Sequence, residues 1–206
     1  MPHIPLESTG ARDSHKQPPT HQRDGQTTRY TATAIVLHWV LGAAVVGMFF
    51  VGLYMSNLPF SLTRLKLFNW HKWAGMCLLA LSAVRLIWRL THVPPVLPTP
   101  IATAMPAWQH RAHSATHLAL YALFFFVPLV GWAYSSAAGF PIVLFGVLPL
   151  PDFVPANKAL AALIRPWHEM SAFALMGLAA LHAAAALKHQ WWDGDGLVGR
   201  MLLGRR

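Results

Sequence analysis

Cysteine is nearly absent from this chain: Cys77 is the single one among 206 residues. That excludes an intrachain disulfide and any zinc cluster built on thiolates. Charge is scarce as well. Charged residues make up 11% of the chain, only seven of them are acidic, and they gather at a few places. A chain of this length makes one ordinary soluble domain, but here the polar residues that would cover a soluble core are missing. Residues 1–29 lack the short apolar core of a cleavable signal peptide, so the first apolar run is expected to stay in place as an anchor.

What fills the chain instead is apolar sequence, 55% of it, with a mean hydropathy of +0.40. A bilayer core of about 30 Å needs about 20 apolar residues of helix to cross it. Four runs meet that length, at 32–54, 70–90, 115–135 and 166–187. The expected fold class is therefore all-α, an integral membrane four-helix bundle. Residues 1–29 are polar and rich in Pro, Thr and His and are expected to be a disordered cytoplasmic tail. Residues 30–192 form the membrane domain, and 193–206 a basic cytoplasmic tail.

The formal net charge of +9 raises nucleic acid as a partner. The cations sit beside apolar spans, where they set orientation, so nucleic acid is rejected and the lipid bilayer is the partner implied. Four spans put both termini on one side. That side carries eleven cations, Arg85, Arg89, Arg111 and Lys188 among them, against five on the other, namely Arg64, Lys66, Lys72, Lys158 and Arg165. The positive-inside rule then places both termini in the cytoplasm. Proline marks the joints. Pro166 is expected in the first turn of the fourth helix, and Pro128 is expected to kink the third.

Ionisable residues inside a membrane are costly and therefore candidates for function. The stretch WHEMSAFALMGLAALHAAAALKH carries His168, His182 and His189 in almost wholly apolar surroundings. His168 and His182 are fourteen residues apart, about 21 Å along a helix and about 40° around it. His71 opens the second span and shares the level of His168; His38 begins the first and shares the level of His182. Two imidazoles at one depth on different helices can hold a haem iron from both faces, and bundle cores are where such sites are built. Four residues after each of these histidines stands a small residue, Gly42, Gly75, Ala172 or Ala186. That leaves a flat surface for a porphyrin, although small residues also serve plain helix packing. Zinc would need three or four ligands at one point, and the histidines lie at two.

IVLHWVLG, NWHKWAG, AVRLIWRL, HLALYALFFFVPLVGW and WHEMSA…GLAALHAAAALKH together resemble the bacterial di-haem cytochrome b561 family, over about residues 30–192. The resemblance is closest to its superoxide oxidase branch. It implies two b haems, one on His38 and His182 and one on His71 and His168. It further implies an enzyme of the bacterial inner membrane that oxidises periplasmic superoxide to dioxygen and passes the electron to ubiquinone. The alternative from the same ligands is an electron-transfer subunit between a partner dehydrogenase or hydrogenase and the quinone pool. The chain departs from the family in its long N-terminal tail and in a longer loop at 139–164.

Arg64, Lys66, Lys72 and Arg165 ring the level of His71 and His168. They either steer a small anion such as superoxide or snorkel as ordinary interfacial cations. His117 and His189 remain at the opposite level, where they either serve a quinone headgroup and its protons or face lipid headgroups. Arg85 and Arg89 close the second span, as partners for haem propionates or as anchors.

Overall fold

The computed structural model describes residues 29–95, 106–194, 196–202 and 204. The expected tail at 1–29 lies outside the described residues except for Arg29. Four helices carry the fold: α1 (Ala32–Asn57), α2 (Leu62–Thr91), α3 (Ala107–Ala137) and α4 (Lys158–Lys188). Each is long and apolar enough to cross a membrane.

Three of the four helices begin at a polar residue that caps them, and α3 begins at Pro106 without a side-chain cap. The Thr31 hydroxyl accepts from the Ala34 N–H, the Ser61 hydroxyl from Arg64, and the Asn157 side chain from Leu160. Each satisfies one of the amide groups that a helix start leaves unpaired. α2 therefore starts eight residues before its apolar run, and α4 starts eight residues before Pro166. Pro166 is thus an interior residue of α4 and not a first-turn proline; α3 likewise runs on through Pro128. Helices of 30 and 31 residues are about 45 Å long, more than the hydrocarbon core needs. With the apolar runs seated in the hydrocarbon, the first turns of α2 and α4 fall outside it.

α3 packs most extensively on α4, and α1 on α2. The core sits at mid-bundle and is made of Leu41, Val45, Leu78, Leu120 and Leu175, with Phe124 and Leu178 packed against them. The outward faces carry exposed Phe50, Ile87, Leu118, Phe173 and Leu181. In water that distribution would be a liability; in lipid it is the solvent-facing surface.

Residues 139–164 were expected as one long loop. The structure ends that loop at Asn157, because its side chain caps α4 and Lys158–Ile164 is already helical. What remains is ordered. Val143–Leu144 (β1) and Leu148–Pro149 (β2) pair antiparallel around Phe145, Gly146 and Val147. At the other end, α4 passes into a π-helical turn at His189–Asp193 and a short 3₁₀ turn at Val198–Met201. The Trp39 indole donates to the Met201 carbonyl at 2.7 Å, so the described C-terminal segment is tied to the start of α1.

Candidate functional site

Four-helix bundles repeat their packing every seven residues, and this chain places its chemistry on that repeat. Each helix contributes one residue to each of two layers, always fourteen positions apart. The first layer holds His38 of α1, Arg85 of α2, His117 of α3 and His182 of α4. The second holds Gly52, His71, Gly131 and His168 from the same four helices. Halfway between, seven residues from each layer, lie Val45, Leu78, Phe124 and Leu175 of the apolar core. An apolar layer thus separates the two levels.

In the second layer the rings of His71 and His168 stand 6.2 Å apart, centre to centre, with their planes at 90°. His168 Nδ1 lies 3.0 Å from the Val127 carbonyl oxygen. A carbonyl only accepts, so Nδ1 carries the proton and Nε2 keeps its lone pair for a metal. Glycine makes this approach possible. A Cβ at position 131 would stand 2.8 Å from His168 Cε1, and one at position 52 would stand 3.4 Å from His71 Cε1. His71 Nδ1 is buried without a hydrogen-bond partner, the kind of group that asks for an explanation. A cavity of about 850 Å³ opens beside both histidines, and one of about 80 Å³ continues inward past Gly75 and Ala172.

In the first layer the rings of His38 and His182 are also 6.2 Å apart, with planes at 74°. The other two helices present polar groups here instead of glycines. Arg85 Nη2 donates to His38 Nδ1 at 3.0 Å, and Arg85 Nη1 is buried with no partner. The guanidinium also lies 5.9 Å from the centre of the Tyr121 ring. The His117 ring is 5.1 Å from that of His182, and its Nδ1 donates to the His113 carbonyl at 2.8 Å. His189 Nδ1 is 3.0 Å from Asp193 Oδ2, to which Lys188 also donates.

The four expected rim cations do not act alike. Lys72 Nζ donates to the carbonyls of Phe140 and Pro141, at 3.3 and 3.5 Å. Arg165 pairs with Glu169 at 2.8 Å. Lys66 is exposed and does not line the large cavity, whereas Arg64 does, along with Lys72, Arg165 and Glu169. Three cations against one carboxylate leave the mouth positive, with Arg64 the cation least committed to other protein charges. Its guanidinium lies 5.5 Å from the Phe68 ring.

Sequence reasoning paired the four histidines and put Arg85 at the level of His38 and His182, but missed Gly52, Gly131 and the contact of Arg85 with His38. The signal was present: each of the three stands fourteen residues from a histidine on its own helix. Among the described residues, no group of three or more His, Cys, Asp or Glu side chains gathers to hold a metal ion by itself.

Four apolar helices enclosing two levels of facing imidazoles define an integral membrane protein of the cytochrome b type. A family model described as prokaryotic cytochrome b561 matches residues 29–204. Cytochrome b561 homolog 2 of Escherichia coli (strain K12) is 33% identical over 175 residues, covering 84% of this chain and 91% of that one. Cytochrome b561 homolog 1 of the same organism is 32% identical over 188 residues, covering 86% and 99%. A probable superoxide oxidase CybB of Yersinia pestis is 30% identical over 137 residues, covering 66% and 74%. The chain belongs to the prokaryotic cytochrome b561 family, whose members are membrane electron-transfer proteins with b-type haem.

Proposed function

We propose that this cytochrome binds two b haems, one on His71 and His168 and one on His38 and His182. We further propose that it oxidises superoxide at the first and reduces ubiquinone at the second. Two superoxide anions, one quinone and two protons give two dioxygen molecules and one quinol. The positive-inside count supports an orientation with the His38–His182 end and both termini in the cytoplasm.

The observation that carries this reading is the ring spacing. An imidazole nitrogen lies about 1.2 Å from its ring centre and binds a first-row metal at about 2.0 Å, so two rings flanking one iron stand about 6.4 Å apart. Both pairs stand at 6.2 Å. A haem held by both imidazoles of a pair would supply a one-electron couple, which suits electron transfer.

The chain's own groups supply the rest. The Val127 carbonyl keeps the proton on His168 Nδ1 and so keeps Nε2 basic. Arg85 holds the opposite arrangement at His38, because a guanidinium only donates. For His38 Nε2 to ligate as a neutral imidazole, Arg85 must release Nδ1; its freed donors, with the already unpartnered Nη1, then suit the porphyrin carboxylates. The apolar layer of Val45, Leu78 and Leu175 lies between the two levels and offers water no hydrogen-bond partner there. His117 and the His189–Asp193 pair stand at the quinone end as groups able to deliver its protons.

Arg64 leads the steering of superoxide toward His71 and His168. Arg64→Glu is expected to slow superoxide-driven reduction about tenfold at low salt and to flatten its ionic-strength dependence. Stopped-flow traces at several salt concentrations check this. An unchanged rate would remove steering and leave the haem assignment standing.

The deciding experiment uses the purified full chain. Two haems per chain, reduced by superoxide alone and reoxidised by ubiquinone, are the expected result. A cytochrome that stays oxidised until a protein donor is added would be a relay subunit and not an oxidase.

A further inference from the structure

The hairpin between α3 and α4 carries an apolar surface that the helices themselves do not explain. From Gly139 to Pro151 the chain has no charged residue, yet this segment lies outside the four spans. Its side chains are not tucked away: Phe140 is 66% exposed, Phe145 62%, Val147 83% and Leu148 56%. Only Ile142, at 2%, is an inward anchor. A soluble surface seldom leaves so many large apolar side chains together in water.

The hairpin is also held at a definite depth. The Trp73 indole donates to the Val143 carbonyl at 2.7 Å, and Lys72 reaches the carbonyls of Phe140 and Pro141. The Trp73 and Phe145 rings lie 5.7 Å apart. On the other side the Ser135 hydroxyl donates to the Phe140 carbonyl, and Trp132 meets Phe153 at 4.9 Å between ring centres. Lys72 and Trp73 are ten and eleven residues into α2, about 15 Å from its start. The loop therefore lies beside the bundle at the level of His71 and does not sit on top of it. Phe145 has φ of 52° and Gly146 φ of 75°. Left-handed backbone disfavours a bulky side chain, so the tip keeps an aromatic residue against local preference.

We propose that this hairpin docks into the interfacial layer of the bilayer, with Phe145, Val147 and Leu148 among the lipid headgroups and upper acyl chains. The occupant is lipid because the surface continues the apolar faces of the membrane helices, lies at their depth and offers no charge for a soluble protein to read. Interfacial depth also suits its backbone. A two-stranded ribbon has unpaired edge groups, which the hydrocarbon core would not accept but the hydrated interface does. Phe140 and Ile142 line the large cavity, so one wall of its mouth is a membrane-seated loop.

The test places an environment-sensitive fluorophore at Val147→Cys in a Cys77→Ser background, in nanodiscs of a phosphatidylcholine and phosphatidylglycerol mixture. Thr63→Cys, exposed in the projecting first turn of α2, is the aqueous reference. The expected result is blue-shifted emission at position 147. Quenching by brominated lipid should be severalfold stronger than at position 63, and quenching by iodide severalfold weaker. Iodide access equal to that of position 63 overturns the proposal. So does shielding from both quenchers with disulfide-linked dimers of Val147→Cys, which would make the surface a contact between two copies. If Val147→Cys fails to fold, Leu148→Cys is read in the same way.

Discussion

Replacing His182 with Ala is expected to lower the haem content from two per chain to one and to leave the remaining haem spectrally unchanged. His182 and His38 form one facing pair, at 6.2 Å, and a haem held between them would lose one of its two protein ligands. The other pair lies fourteen residues away along α4, about 21 Å, beyond the layer of Val45, Leu78 and Leu175. The side chains of that layer are apolar, so damage at one end should stay there; sites this far apart act independently. His117 offers a complication that the experiment can absorb. Its ring is 5.1 Å from that of His182, close enough to replace a missing neighbour. Haem content is therefore measured in His182→Ala and in His182→Ala with His117→Ala, by haemochrome absorbance against protein concentration. Two haems per chain in the double variant would end the pairing assigned here.

Gly131→Ala is expected to act on the opposite level. The added Cβ would stand 2.8 Å from His168 Cε1 and 3.0 Å from Nδ1. The ring cannot retreat without giving up its hydrogen bond to Val127, which fixes both its tautomer and its aim. Overpacking of this kind costs about 1–3 kcal/mol, which a bundle of four long helices tolerates, so the protein should still fold. The expected loss is the His71–His168 haem, with the His38–His182 haem kept and the thermal midpoint lowered by only a few degrees. Gly47→Ala is the control, since a Cβ there meets no protein atom within 4 Å. Alanine also favours the helix over glycine by up to about 1 kcal/mol. Both haems retained in Gly131→Ala, with an unchanged absorption spectrum, would show that the close approach at position 131 does not govern binding.

The two variants probe features that were unequally legible in the sequence. His38, His71, His168 and His182 could be paired from depth alone, because a helix converts residue number into height at a constant rise. Gly42, Gly75, Ala172 and Ala186 followed the same logic, and Gly75 and Ala172 do line the inner cavity. Gly52 and Gly131 escaped notice because each touches a histidine on a different helix. Contacts across a bundle depend on which faces meet, and a single helix's pattern does not state that. Arg85 was read as an anchor or a propionate partner, whereas its contact with His38 appears only when α1 and α2 are packed. The projecting turns of α2 and α4 were missed for another reason. A search for apolar length finds the membrane, but a helix starts at its cap, and Ser61 and Asn157 lie well outside the apolar runs.

By itself the sequence determined the number of helices long and apolar enough to cross a membrane and the two heights at which chemistry could sit. Both follow from hydrophobic length and helical rise, which are local properties of the chain. Only the tertiary structure decided which helices face one another and hence that glycines flank one imidazole pair while Arg85 and His117 flank the other. It also decided that the apolar loop folds back beside α2. Those outcomes depend on side-chain shapes meeting across space, where a single Cβ at Gly131 separates a fit from a clash.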